Sequence, residues 1–113
     1  MSKQIKNHQD KLDPVTHKIL KHSDKFVVFF SPVCGFSQAS KALLNKHNIP
    51  FRSYDIYGKK DKIIKSLIST KGITGFDPTH NTYPIIFYKG KFVGGHSELE
   101  KWVIRKFDSK ALF

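Results

Sequence analysis

Cys34 is the only cysteine of the chain, set between an apolar run and a helical pattern in FVVFFSPVCGFSQASKALL, residues 26–44. A lone thiol has two readings. One is a small buried side chain without chemistry. The other is a nucleophile, and three neighbours favour it. A strand-to-helix junction sets the thiol beside helical N–H groups that lack intrahelical partners. Those groups and the helix dipole favour the thiolate, so a depressed thiol pKa is expected. Ser37 lies three residues on, where its hydroxyl either bonds the sulfur or supports the first helical turn. Gly35 leaves the approach to the sulfur open, and Pro32 stiffens the loop before it.

Two further stretches bear on this thiol. Tyr83-Pro84 opens an apolar run, where a proline marks either a simple strand boundary or a cis bond. A cis Pro84 would leave the Tyr83 backbone groups to pair with an extended peptide beside Cys34. Gly94-Gly95 precedes a helical pattern. The pair forms an ordinary turn or, ahead of exposed helical N–H groups, a receptor for a carboxylate. Other chemistries are excluded. One cysteine makes neither an internal disulfide nor a four-thiolate zinc site. The six histidines show no metal-ligand spacing next to Cys34. A C-x₅-R phosphate loop would need Arg at position 40, which is Ser40.

The elements that hold these residues follow from periodicity. Asp13-Pro14 starts a helix whose apolar face is Leu12, Val15 and Ile19. KFVVFFS (25–31) reads as a central strand buried on both faces. Phe36, Ala39, Ala42 and Leu43 have helical spacing up to Lys46. FRSYDI, after Pro50, is a second strand, and Ile63, Ile64, Leu67 and Ile68 mark a third helix. YPIIFYKGKFVGG is a hairpin turning at Lys89-Gly90. Ser97 and Glu100 form a capping box for a last helix whose stripe is Leu99, Trp102, Val103 and Phe107. The order α-β-α-β-α-β-β-α gives a four-stranded mixed sheet with helices on both faces, the layout of the α/β thioredoxin-like fold.

The 113 residues suit one domain, and ten phenylalanines can fill its core. Residues 1–10, MSKQIKNHQD, read as a flexible N-terminus ahead of a single domain over 11–113. No apolar run reaches membrane-spanning length and no signal segment follows the start. A cytoplasmic protein without a membrane partner is expected, in the host cytoplasm if the chain is viral. The net charge of +11 comes almost wholly from lysine, with only Arg52 and Arg105 otherwise. Nucleic-acid readers favour arginine, so nucleic acid is not an expected partner. Lysine, isoleucine and asparagine all have AT-rich codons, which explains much of the charge without function.

Taken in order, FVVFFSPVCGFS, TYP (82–84) and KGKFVGGHSELE (89–100) resemble the glutaredoxins, from about Lys25 to Phe107. CGFS is similar to the active-site tetrad of the family's monothiol branch. The resemblance implies that Cys34 takes up glutathione as a mixed disulfide. It implies that Tyr83, ahead of a cis Pro84, pairs its backbone with the cysteinyl part of glutathione. Gly95, His96 and Ser97 would hold the γ-glutamyl end and Phe36 would line the groove, with Ser37 in the same glutathione-binding set. The family usually has a Lys where Ser31 stands, so Lys25, Lys59 or Lys62 is left to meet the other carboxylate. The chain also has a short loop before Cys34, and His80-Asn81 where monothiol members carry Trp-Pro. Two functions follow. One is glutathione-dependent reduction of glutathionylated proteins by a monothiol mechanism through Cys34. The alternative is a carrier of a [2Fe-2S] cluster, ligated by Cys34 and glutathione from each half of a homodimer. A basic binding module without redox chemistry is the third reading.

Overall fold

The computed structural model describes residues 13–108; the segment 1–10 and Leu12 lie outside them. Asp13 caps the first helix, α1 (Pro14–Lys21), by accepting from the Thr16 N–H at 2.9 Å, and Pro14 fills a position that needs no donor. Then follow β1 (Phe26–Phe30), α2 (Gly35–Lys46), β2 (Phe51–Asp55), α3 (Lys60–Ser69) and a single-turn α4 (Lys71–Thr74). β3 (Ile85–Tyr88), β4 (Lys91–Gly94) and α5 (His96–Val103) complete the order, and a π-helical turn over Ile104–Asp108 extends α5. The expected order is present, with α4 and the π-helical turn added.

The sheet runs β2-β1-β3-β4, with β1 and β2 parallel and the other pairs antiparallel. β1 is central and its alternate residues feed two cores. Val27 and Phe29 join Val15, Ile19, Leu67, Ile85 and Phe87 on one face. Phe26 and Val28 join Leu44, Ile86, Leu99 and Val103 on the other. Fully burying such side chains contributes about 1.5–3 kcal/mol each. The hairpin turns at Lys89 (φ 52°) and Gly90 (φ 79°), the two left-handed positions of a type I′ turn. Among the described residues no helix is long and apolar enough to cross a membrane.

One element turns a different face inward. On α2 the stripe of Phe36, Ala39 and Ala42 is exposed, while Ser37, Ser40 and Leu44 are buried. Helical spacing located the helix, but its first two turns pack on polar partners, and small hydroxyl side chains meet them.

Candidate active site

Cys34 is the N-cap of α2, with φ −97° and ψ 123°, and its thiol is free and partly exposed. The loop before it is held by serines. The Cys34 N–H donates to the Ser31 carbonyl at 3.1 Å, and the Val33 N–H to Ser31 Oγ at 3.4 Å. The Ser31 N–H donates to Ser37 Oγ at 3.1 Å, and both serines are fully buried. Of the two roles expected for the Ser37 hydroxyl, the structure shows the one that supports the chain at the helix start: it faces inward and locks the loop. The Cys34 thiol points at the Tyr83 carbonyl, 3.9 Å away.

The Tyr83-Pro84 peptide bond is cis. The Tyr83 hydroxyl donates to the Ile56 carbonyl at 3.4 Å, and burial of the ring raises the phenol's pKa. Pro84 is buried, and its carbonyl lies 3.2 Å from His80 Nε2. Where β4 gives way to α5, the expected capping box of Ser97 and Glu100 is corrected. The N-cap is Gly95, whose N–H donates to Glu98 Oε1 at 2.8 Å, and Ser97 is the second helical residue. Gly94 has φ 134°, and a Cβ there would sit 2.6 Å from Glu98 Cγ. This junction therefore needs glycine. With the Gly95 donor engaged by Glu98, the first-turn N–H groups of His96 and Ser97 are the ones that can meet an anion.

These pieces meet in one cavity of about 270 Å³, lined by Phe36, His80, Thr82, Tyr83, Gly95, His96, Ser97 and Glu98. The structure thus brings together Phe36, Tyr83, Gly95, His96 and Ser97, while Pro84 and Ser37 are buried outside the lining. His80, Thr82 and Glu98 were not assigned to the site from sequence. Thr82 stood in the TYP run and His80 in the His80-Asn81 pair without being read as lining a site, and Glu98 drew no reading because the helix was expected to start at Ser97. On the other side of Tyr83 lies a second hollow of about 500 Å³, lined by Gly58, Lys59, Lys60, Asp61, Lys62 and Tyr83. Lys60 Nζ stands 5.6 Å from the Tyr83 ring centroid. Lys25 precedes β1, at the opposite edge of the sheet from Cys34, which removes it as a partner for a ligand here. Val33 and Phe36, which flank Cys34 in the chain, and Tyr57, after β2, are exposed large hydrophobic side chains at 76%, 64% and 62%. Among the described residues no cluster of metal-ligating side chains occurs.

Comparison with known proteins agrees with this geometry. The glutaredoxin family model matches residues 26–93. A probable glutaredoxin of Acanthamoeba polyphaga mimivirus is 35% identical over 96 residues, covering 81% of this chain and 91% of its own. A mitochondrial monothiol glutaredoxin of Oryza sativa is 37% identical over 65 residues, covering 58% of this chain and 31% of its own. A solved buckwheat glutaredoxin–glutathione complex superposes with a TM-score of 0.62 at 22% identity, covering 89% of this chain and 90% of that one. The holo form of poplar glutaredoxin C1 gives 0.60 at 22% identity, with 82% and 89% covered. The family model spans the sheet from β1 into β4, the mimiviral relative is covered nearly from end to end, and the chain belongs to the glutaredoxin family of thiol–disulfide oxidoreductases.

Proposed function

We propose that the chain reduces protein–glutathione mixed disulfides by a monothiol route through Cys34. The observation that carries this reading is the convergence, at one sheet edge, of a helix-capping thiol, the Tyr83 backbone 3.9 Å from it, and a cavity ending in the free donors of α5. Glutathione is an extended tripeptide with a sulfur at its centre and a carboxylate at each end. With its sulfur at Cys34 and its cysteinyl backbone along Tyr83, its ends fall in the two hollows that Tyr83 separates. The γ-glutamyl carboxylate meets the N–H groups of His96 and Ser97, and its ammonium faces Glu98. The glycyl carboxylate meets Lys59, Lys60 and Lys62, which stand in for the side chain that Ser31 cannot supply.

The reaction has two exchanges. The Cys34 thiolate attacks the glutathionyl sulfur, an S–S bond forms to Cys34, and the protein thiolate leaves and takes a proton. A second glutathione thiolate attacks the same glutathionyl sulfur, so that oxidised glutathione leaves and the Cys34 thiolate returns. The sum converts a protein–glutathione disulfide and one glutathione thiol into a protein thiol and oxidised glutathione, so one disulfide breaks as another forms and no second protein cysteine is used. Cys34→Ser abolishes glutathione-dependent reduction of a glutathionylated protein in an assay coupled to glutathione reductase. Turnover by that variant at even a tenth of the parent rate would overturn the proposal.

A second reading has one observation in its favour. A Cβ built at Gly35 meets no heavy atom within 4 Å, so the helix start next to Cys34 is uncrowded. A [2Fe-2S] cluster carried between two copies would draw thiolate ligands from Cys34 of each and from two glutathiones. Anaerobic purification with glutathione, followed by the visible spectrum and the molecular mass, separates the readings: a coloured dimer supports the carrier, a colourless monomer the reductase.

A further inference from the structure

His96 is not only a source of a backbone donor. Its ring is gripped at both nitrogens. Nδ1 lies 2.8 Å from Oγ of Ser40, a fully buried serine two turns into α2. Nε2 lies 3.6 Å from Glu100 Oε2, one turn along α5. The ring also packs on Phe36 with centroids 5.9 Å apart, and it lines the cavity that takes the proposed γ-glutamyl end. We infer that the His96 imidazole is an affinity-determining element of this carboxylate receptor, and that its protonation tightens the hold on the anionic end of the ligand. The inference rests on the glutathione reading above.

Both protonation states fit the same grip. In the neutral ring Nδ1 and Ser40 Oγ share one hydrogen bond, with either tautomer able to make it, and Glu100 lies near Nε2 as a carboxylate that pairs with the ring once it is charged. In the cation Nδ1–H donates to Ser40 Oγ, whose own hydrogen turns to the helix carbonyl four residues back. The ring keeps its place, and the change is one positive charge in the wall of an anion site. The groups that meet the ring or share its cavity are Phe36 and Ser40 from α2, Glu98 and Glu100 from its own helix, Tyr83 at the head of β3, and His80 from the loop before it. His96, His80 and the Cys34 thiol are the groups at this site whose charge can change between pH 5.5 and 8, so every titration is made in the Cys34→Ser background, which is the parent of the comparison. His80 Nε2 is turned to the Pro84 carbonyl, and His96 stands at the first turn that receives the carboxylate. A unit charge about 6 Å from a carboxylate, at an effective dielectric between about 40 and 80, is worth about three- to tenfold in affinity.

The test uses the full chain in the Cys34→Ser background and S-methylglutathione, which binds without exchanging disulfides, titrated by calorimetry at pH 8.0 and pH 5.5. The parent protein is expected to bind at least threefold more tightly at the lower pH. His96→Gln, which keeps hydrogen bonding without the charge, should bind with less than twofold change, and His80→Gln should keep the parental slope. Glu100→Gln provides an independent check if His96→Gln does not fold: losing the carboxylate beside Nε2 should move the midpoint of the slope to lower pH. A parental slope in His96→Gln, a lost slope in His80→Gln, or an unmoved midpoint in Glu100→Gln overturns the inference and leaves the glutathione reading standing. No binding by the parent at either pH removes the glutathione reading, and this inference with it.

Discussion

Ser37 separates a structural account of the CGFS segment from a catalytic one. Its hydroxyl is buried and accepts the Ser31 N–H at 3.1 Å. In Ser37→Ala that amide hydrogen is left buried without an acceptor, at a cost of about 1–3 kcal/mol. Alanine returns about 0.5 kcal/mol through better helix propensity. A net loss of about 0.5–2.5 kcal/mol follows, which lowers the melting temperature of a domain of this size by roughly 2–15 °C. Ser31→Ala is the internal control. Its hydroxyl accepts from Val33 at 3.4 Å, a poor hydrogen bond, so its loss should cost less than about 1 kcal/mol. The assays are thermal unfolding and glutathione-dependent reduction at 25 °C. Ser37→Ala should melt below the parent and below Ser31→Ala, yet keep kcat/KM within about threefold of the parent, because the buried hydroxyl is engaged by the Ser31 N–H. An unchanged melting temperature together with a tenfold loss of activity would show that the hydroxyl acts on Cys34, and the argument from burial would be wrong.

Three other outcomes follow from the geometry. Gly94→Ala puts a Cβ 2.6 Å from Glu98 Cγ at φ 134°, so it should displace the Glu98 cap, cost about 1–3 kcal/mol in urea unfolding and raise KM for glutathione; a variant as stable as the parent would contradict the close approach. His22 lies 3.0 Å from the Tyr54 hydroxyl, and partial burial, then Arg52, Lys25 and Lys21, hold its pKa below the usual 6.5. The unfolded chain therefore takes up this proton more readily than the folded one, so stability falls as pH drops through 6.5, and His22→Gln should flatten urea midpoints measured from pH 7.5 to 5.5. Changing Lys59, Lys60 and Lys62 together to Gln should raise KM for glutathione about tenfold with kcat nearly unchanged; an unaltered KM would take the glycyl carboxylate away from this hollow.

What the sequence showed depended on how locally each feature is determined. β1 was legible because Phe26 to Phe29 are all apolar and the strand is buried on both faces. The hairpin was legible because Lys89-Gly90 satisfies a two-residue turn by itself. The inward face of α2 was not. The partners of Ser37 and Ser40 lie 6 and 56 residues away, and no helical period announces a buried hydroxyl. The cap of α5 was misread by two residues because Gly95-His96-Ser97-Glu98 and Ser97-Glu98-Leu99-Glu100 both carry glutamate three residues after their first residue. The deciding fact is the conformation of Gly94, which ends β4 at φ 134° and starts the helix at once. Cys34, Tyr83 and Gly95–Ser97 were legible as an ordered set, whereas His80 and Glu98 reach the cavity through contacts that spacing does not encode.

Strand direction explains why so sparse a set of residues can form a site. In the order β2-β1-β3-β4 only β3 runs against the others. The ends of β1, β2 and β4 and the start of β3 therefore share one edge of the sheet. The end of β1 leads to Cys34, the end of β2 to Tyr57 and the lysines of α3, the start of β3 carries Tyr83-Pro84, and the end of β4 leads to Gly95, His96 and Ser97. Two of these junctions open into helices, so two sets of unpaired N–H groups face the same edge: one beside the thiol, one at the carboxylate receptor. Tyr83 stands between the cavity at one end and the lysine-lined hollow at the other. The proposed ligand, anionic at both ends with sulfur between them, matches this arrangement, and with a single cysteine in the chain the second thiol of each turnover in the proposed reaction arrives with such a ligand.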